Sequence, residues 1–307
     1  MTSIQAPSAV VMVRPLCFHP NPQTASDNAF QRTDASRETA DLALAASEEV
    51  MQAAATLRGH GVRVQLFEDD GSRDTPDSVF PNNWFSTHPG GHVAVYPMHS
   101  PNRRRERRAD VIELLKRDYR VQDVIDYSGL EQDAMFLEGT GAMVLDHLFR
   151  VAYTARSNRA DAVALERFCT HFNFEPVAFD TADEKGRPLY HTNVMMCVAT
   201  AFAMVGLDLI SDPKRRHEVR ARLEESGREV IALDARQIGE FAGNALELTG
   251  SHGRLLAMST RAEASLEPKQ RRLIELTSTI VALSVPTIEL AGGSVRCMLA
   301  GIHLARR

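Results

Sequence analysis

The sequence predicts an α/β chain built from repeated strand–helix–strand units set around an axis. Three observations predict it. Short Val/Ile/Leu-rich runs alternate with longer polar-faced helical segments, five such helices each lie between strand-like runs, and the polar junctions that lead into strands recur at a near-constant spacing.

Taken in order, AVVMVRP (9–15) reads as the opening strand. Ser36 to Gly59 reads as an amphipathic helix, with Leu42, Ala46, Val50, Ala53 and Leu57 on one stripe and a glycine stop. VRVQLFE follows as a strand, then a loop rich in Gly, Asp and Pro. The same grammar returns as AVYPM, the helix Arg104 to Arg117 and VQDVIDY, then as LFRVAYTA, the helix Ala160 to His171 and PVAFD. It continues with MMCVATAFAMVG, the helix Lys214 to Glu225 and VIALD, and closes with LLAMS, the helix Lys269 to Ala282 and TIEL.

The junctions are PNNWFS (from Pro81), LEGTGAMV (from Leu137), HTNVMMCV (from His191), AGNALEL (from Ala242) and GGSVRCML (from Gly292), the last read as a strand. Anchored on Asn83, Glu138, His191, Asn244 and Cys297, the gaps are 55, 53, 53 and 53 residues. A fixed period of this length predicts supersecondary units whose equivalent points face one central place. A thiol, an imidazole and a carboxylate more than fifty residues apart would then converge.

Composition narrows the class without touching the chemistry. The 307 residues are 44% hydrophobic and 24% charged, as expected of a globular chain with a sizeable core. A formal net charge of −5 argues against a nucleic-acid partner, whose footprint would be basic. MTSIQAPSAVV lacks the pattern of a secretory signal, and Val194 to Leu207, the longest apolar stretch, is too short to span a bilayer. Four scattered cysteines with no CxxC pair fit a reducing compartment, so the expected location is cytoplasmic, with no membrane partner. Cys17, Cys169 and Cys197 read as core filler, and RRRERR (103–108) as the solvated start of a helix. His88 and His92 flank a turn without a carboxylate or cysteine at ligand spacing, so no metal is expected.

Together the five junctions resemble the pentein superfamily of guanidine-modifying enzymes, which includes arginine deiminases, dimethylarginine hydrolases and amidinotransferases. The resemblance runs from about Val10 to Leu304. PDSVFPNNW (76–84) is similar to the hydrolases' PDSVF loop, LEGTG to their acidic turn, HTNVMM to their HxD strand and GGSVRCML to their cysteine strand. TARSNR (154–159) resembles a loop whose arginine holds the substrate α-carboxylate. The resemblance implies a five-bladed α/β propeller with pseudo-fivefold symmetry, formed by residues 1–307 as a single catalytic domain. It is closest to the citrulline-utilising hydrolases.

On that resemblance Cys297 is the nucleophile, His191 its proton carrier and Glu138 the acid that orients the imidazole. Arg296 would point to the opposite face of a regular strand and read as a structural ion-pair residue. Arg103 is a candidate for touching a carboxylate, and Asp77 and Arg156 would hold the amino-acid end. The departures point to the substrate. Where relatives acting on arginine compounds carry an acidic pair after PDSVF, this chain has Asn82 and Asn83, and where they often have HxD it has His191-Thr192-Asn193. A guanidinium cation calls for carboxylates, whereas a carboxamide suits a neutral ureido group with both donors and an acceptor. The expected reaction is hydrolysis of citrulline to ornithine, ammonia and CO₂ through a covalent intermediate on Cys297, with no cofactor. Hydrolysis or transfer of a guanidino group is the alternative, and a non-catalytic pentein-fold binding protein is the reading from a different class. The partner is a small amino acid, and a homo-oligomer stays open.

Overall fold

The alternation of β-branched runs with amphipathic helices folds as a series of small sheets, each with a helix crossing between its parallel strands. The structure, a computed structural model, describes residues 4–307; residues 1–3, which begin the stretch read for a targeting signal, lie outside the described residues. Strand β1 (Ala9–Pro15) leads to the helix Thr39–Gly59, and the chain returns parallel to β1 as β2 (Arg63–Asp69). The helix buries Ala46, Val50, Ala53 and Leu57 in one cluster with Val10 and Met12 of β1.

Next, β3 (Phe85–His88) pairs antiparallel with β4 (His92–Val95), and after the helix Ala109–Asp118 strand β5 (Asp123–Asp126) lies parallel to β4. The pattern repeats with β6 (Met143–Asp146), β7 (Val151–Ala155), the helix Ala162–Phe172 and β8 (Glu175–Phe179). It repeats again with β9 (Met196–Val198), β10 (Phe202–Val205), the helix Pro213–Glu225 and β11 (Glu229–Ala232). The last full round is β12 (Leu246–Gly250), β13 (Gly253–Ser259), the helix Pro268–Glu275 and β14 (Thr279–Leu283). Finally β15 (Ala300–Gly301) pairs antiparallel with β1, so the first sheet is completed from the far end of the chain. The result is five three-stranded sheets, the five-bladed α/β propeller expected from the repeat. Strands β3, β6, β9, β12 and β15 are the inner strands, and residues of all five line one cavity on the axis.

Four local expectations are corrected. MMCVATAFAMVG is a hairpin rather than one strand, because Glu247 takes hydrogen bonds from the Thr200 backbone N (2.7 Å) and hydroxyl (2.6 Å) at its bend. The last long helix ends at Glu275; the β-branched run that follows forms β14, and TIEL is part of a 3₁₀ turn, Ile288–Ala291. GGSVRCML is not a strand: Val295–Met298 form one helical turn before the two-residue β15. Cys17 is exposed rather than core filler. Among the described residues no helix is long and apolar enough to cross a membrane.

One buried pair ties two blades. Arg228 donates to both carboxylate oxygens of Asp146, at 2.6 and 3.0 Å, and the two side chains are each 1% exposed. Asp146 also accepts from the backbone N–H groups of Leu148 and Phe149. Asp146→Ala therefore leaves a buried guanidinium without its counter-charge, and urea unfolding is expected to show a loss of about 3–5 kcal/mol. A loss near that of an exposed pair, below about 1 kcal/mol, would contradict this reading.

Candidate active site

Each inner strand begins from a tight turn at the same end of the axis. The turns Pro81–Asn83, Gly139–Ala142, Thr192–Val194 and Val295–Met298 precede β3, β6, β9 and β15. Asn244, just before β12, completes the ring. The glycines of LEGTG let neighbouring turns meet. Gly139 has φ +47°, and a Cβ there would lie 2.6 Å from the Asn82 carbonyl oxygen. A Cβ on Gly141 would lie 2.2 Å from Asn83 Nδ2 and 2.8 Å from His191 Nδ1. Any larger residue at 141 pushes the Asn83 amide and the imidazole apart.

Cys297, 2% exposed, lies in the helical turn, and its Sγ accepts from Asn193 Nδ2 at 3.2 Å and Asn244 Nδ2 at 3.3 Å. Two amide N–H donors thus converge on the sulfur. Asn244 is in turn oriented by donating to the Asn193 carbonyl at 2.9 Å and by accepting at Oδ1 from the Arg296 backbone N–H at 3.0 Å.

His191 shares a cavity wall with Cys297, and its Nε2 donates to Glu138 Oε2 at 2.8 Å. Burial favours the neutral form of Glu138, but the nearby Arg159, the His191 hydrogen bond and Arg103 outweigh it and hold the carboxyl well below the usual carboxylate range. An ionised Glu138 can only accept, so the imidazole proton sits on Nε2 and Nδ1 keeps the basic lone pair. Burial pulls His191 down to about 4, against the upward pull of Glu138. The neutral imidazole is therefore the resting form at pH 7. The free protein's kcat/KM is expected to stay level on the acid side through pH 6.5 and to fall only towards pH 4, as His191 gains its proton. An acid limb centred near the ordinary histidine value would contradict that assignment.

Around this pair stands a wall of charge. Arg103, expected at the solvated start of a helix, is instead 2% exposed, and Glu106 beside it 3%; the two lie in a 3₁₀ turn, Arg103–Glu106. Arg103 donates to both oxygens of Glu106 at 2.9 and 3.0 Å, and its Nη2 donates to Asn83 Oδ1 at 3.0 Å. Its Nε lies 3.6 Å from Asp77 Oδ2. Burial raises the Asp77 carboxyl, with Arg103 and a hydrogen bond from Asn21 opposing. Four atoms of these residues are buried without a protein partner: Asp77 Oδ1, Asn83 Nδ2, Asn193 Oδ1 and Asn82 Oδ1.

Two expected residues are placed elsewhere. Asn82 does not line the cavity: its Nδ2 donates to Thr140 Oγ1 at 3.4 Å, within the contact between turns. Arg156 follows the end of β7, points outward and pairs with Asp180 at 3.2 Å on the surface. The chain then turns back, so Arg159 of the same loop enters the site, 1% exposed, paired with Asp27 at 2.6 Å and with Glu138 at 3.4 Å. Asn244 and Arg159 were the residues missed. The first stands at the repeat spacing, while the second could be told from Arg156 only by knowing where β7 ends.

The cavity shared by Asp77, Asn83, Arg103, Arg159, His191 and Cys297 measures about 10 Å³. That is at the lower limit for one water, so an amino acid enters only when its cover shifts. The cover is the segment between β1 and the first helix, which brings Thr24 and Asn28 to the cavity. Asn21 pins it through Asp77 at 2.8 Å, and Asn28 through the Ala291 carbonyl at 3.0 Å. Among the described residues no group of three or more His, Cys, Asp or Glu stands together as a metal site.

Comparison with known proteins gives the same architecture. The family model described as N,N-dimethylarginine dimethylhydrolase, eukaryotic, matches residues 14–304. ArgZ, an arginine dihydrolase from the ornithine–ammonia cycle in cyanobacteria, is similar with a TM-score of 0.72 at 16% identity, over 97% of this chain and 40% of that one. Its N-terminal domain, in a cysteine-to-serine form bound to substrate, gives 0.71 at 16% identity over 97% of this chain and 98% of that one. This chain thus corresponds to the N-terminal part of ArgZ and spans two-fifths of the full-length protein. DDAH from Pseudomonas aeruginosa, in a cysteine-to-serine form complexed with citrulline, gives 0.60 at 12% identity over 98% of this chain and all of that one. At these identities the likeness to solved structures is one of fold. No curated protein matches the chain.

Proposed function

This chain belongs to the N,N-dimethylarginine dimethylhydrolase family, and from that premise we propose that it is a cysteine hydrolase of the ureido group of citrulline, releasing ornithine, ammonia and CO₂. The observation that carries the reading is the fixed orientation of the Asn83 carboxamide. Arg103 donates to Asn83 Oδ1, so the amide presents Nδ2 as a buried donor without a protein partner. A ureido oxygen accepts from it, whereas a guanidinium has N–H donors only. Turning the amide over would set its NH₂ against Arg103. Asp77 Oδ1, on the same cavity wall, supplies an acceptor for a ureido N–H group. A donor beside an acceptor matches a urea and mismatches a guanidinium by one unsatisfied buried group, which costs about 1–3 kcal/mol.

In the reaction, neutral His191 takes the thiol proton at Nδ1 as Cys297 Sγ attacks the ureido carbon. The developing oxyanion receives the Asn83 N–H. Collapse breaks the bond from the carbon to the δ-nitrogen, and His191 returns its proton to that leaving amine, freeing ornithine and leaving a carbamoyl thioester. Water, deprotonated by His191, hydrolyses the thioester, and the carbamic acid decomposes to ammonia and CO₂. Asn193 and Asn244 steady the thiolate at each release of sulfur. With Arg156 on the surface, Arg159 is the guanidinium for the substrate carboxylate, which replaces Asp27 when the cover lifts.

Hydrolysis of arginine itself is the second reading. The name of the family and those of ArgZ and DDAH favour it, as do the three buried acids Asp77, Glu106 and Glu138. Purified protein incubated with citrulline, arginine and dimethylarginine, with the released amino acids resolved, separates the two. Ornithine formed fastest from citrulline supports the proposal; faster turnover of arginine or dimethylarginine overturns it. Asn83→Asp exchanges the donor for a carboxylate, and citrulline kcat/KM is expected to fall about 10–100-fold. Arginine turnover is expected to rise at the same time, and an unchanged ratio between the two substrates would refute the carboxamide argument.

A further inference from the structure

Arg296 and Cys297 are consecutive, yet they line different cavities. The one that Arg296 faces lies on the propeller axis among the five inner strands and measures about 40 Å³. That is room for one or a few water-sized species. Gln5 reaches into its wall, donating from Nε2 to the carbonyls of Leu145 (3.0 Å) and Val198 (2.8 Å) and accepting at Oε1 from the His147 backbone N–H.

The structural ion pair expected for Arg296 is not there. Among the described residues no carboxylate lies within ion-pair distance of its guanidinium, whose one hydrogen bond runs from Nη1 to the Leu299 carbonyl at 3.0 Å. Burial lowers its pKa, and the acidic groups that offset this are thiols, those of Cys297 and Cys197. Arg296 is only partly buried, whereas the three fully buried arginines each have a carboxylate: Arg103 has Glu106, Arg159 has Asp27 and Arg228 has Asp146. A partly buried cation without a counter-charge is unfavourable, and four of the five guanidinium N–H donors have no protein partner. His147 lines the same cavity, 6% exposed, with its Nδ1 unpartnered and its ring stacked on His303 at 3.9 Å.

We propose that the axial cavity is a binding site for a small monovalent anion of halide size, held by the Arg296 guanidinium with His147 as a second donor. One uncompensated cation matches one negative charge, and the cavity has room for a halide.

The test is thermal unfolding of the full chain in sodium chloride against sodium gluconate at equal ionic strength. Chloride is expected to raise Tm with a saturable dependence, since binding to the native state alone stabilises it. Arg296→Met is expected to abolish the chloride-specific shift. Identical curves in the two salts, or an undiminished shift in the variant, would overturn the proposal. Should Arg296→Met not fold, wild-type crystals grown in bromide decide: an anomalous peak within hydrogen-bond distance of the guanidinium supports the site, and its absence sinks it.

Discussion

Replacing Cys297 by alanine is expected to remove turnover of the ureido substrate by about 10⁵–10⁶-fold, the scale on which loss of a covalent nucleophile acts. Binding should survive, because the donor on Asn83 and the acceptor on Asp77 are untouched. Stability should not survive unchanged. Sγ is the acceptor for Asn193 and Asn244, and without it two buried N–H groups face a void, at about 1–3 kcal/mol each. Cys297→Ser separates the two roles, since its hydroxyl accepts the same hydrogen bonds but is a far weaker nucleophile. Serine should restore most of the unfolding free energy and little of the rate. Calorimetric titration with citrulline, urea unfolding and steady-state rates read the three quantities independently. An alanine variant with wild-type turnover would remove Cys297 from the mechanism.

The parts of the molecule that repeat were legible in the sequence, and the parts that depend on where a repeat ends were not. Glu138, His191 and Cys297 stand at one phase of a 53-residue period, and equivalent phases of a propeller meet at its axis, so their convergence needed no coordinates. Asn244 stands at the same phase, and its chemistry was overlooked because a lone asparagine carries no signal until a sulfur is beside it. Arg156 and Arg159 are three residues apart in one loop, and one further residue in β7 would exchange which of them faces inward. Asn82 and Asn83 differ in the same way, through a single 3₁₀ turn. The apolar run around Cys297 suggested a strand because periodicity cannot separate a short buried strand from one helical turn. Arg103 and Glu106 read as solvated because their burial depends on each other, a compensation that composition cannot express.

Glu138→Gln tests the other end of the relay and is expected to lower kcat about 10⁴-fold, as an amide does in place of the acid of a catalytic triad. The loss follows from hydrogen-bond direction. Oε1 of Glu138 accepts from the His99 backbone N–H at 3.0 Å, while Oε2 accepts from His191 and faces Arg103 at 3.5 Å and Arg159 at 3.4 Å. Every neighbour is a donor. A glutamine must turn its NH₂ to one side: towards His99 it confronts a backbone donor, and towards His191 it confronts the imidazole N–H and two guanidinium groups. In the second arrangement His191 pairs only by moving its proton to Nδ1, which takes the lone pair away from the sulfur. A merely structural role would lower stability and leave the pH profile in place. The carboxylate, however, is what holds the imidazole pKa up against burial and the two arginines. Its loss should therefore move the acid limb of kcat/KM to still lower pH, while Tm falls because Arg103 and Arg159 lose a shared counter-charge. Wild-type turnover in Glu138→Gln, or an acid limb that does not move, would show that the carboxylate does not act through His191.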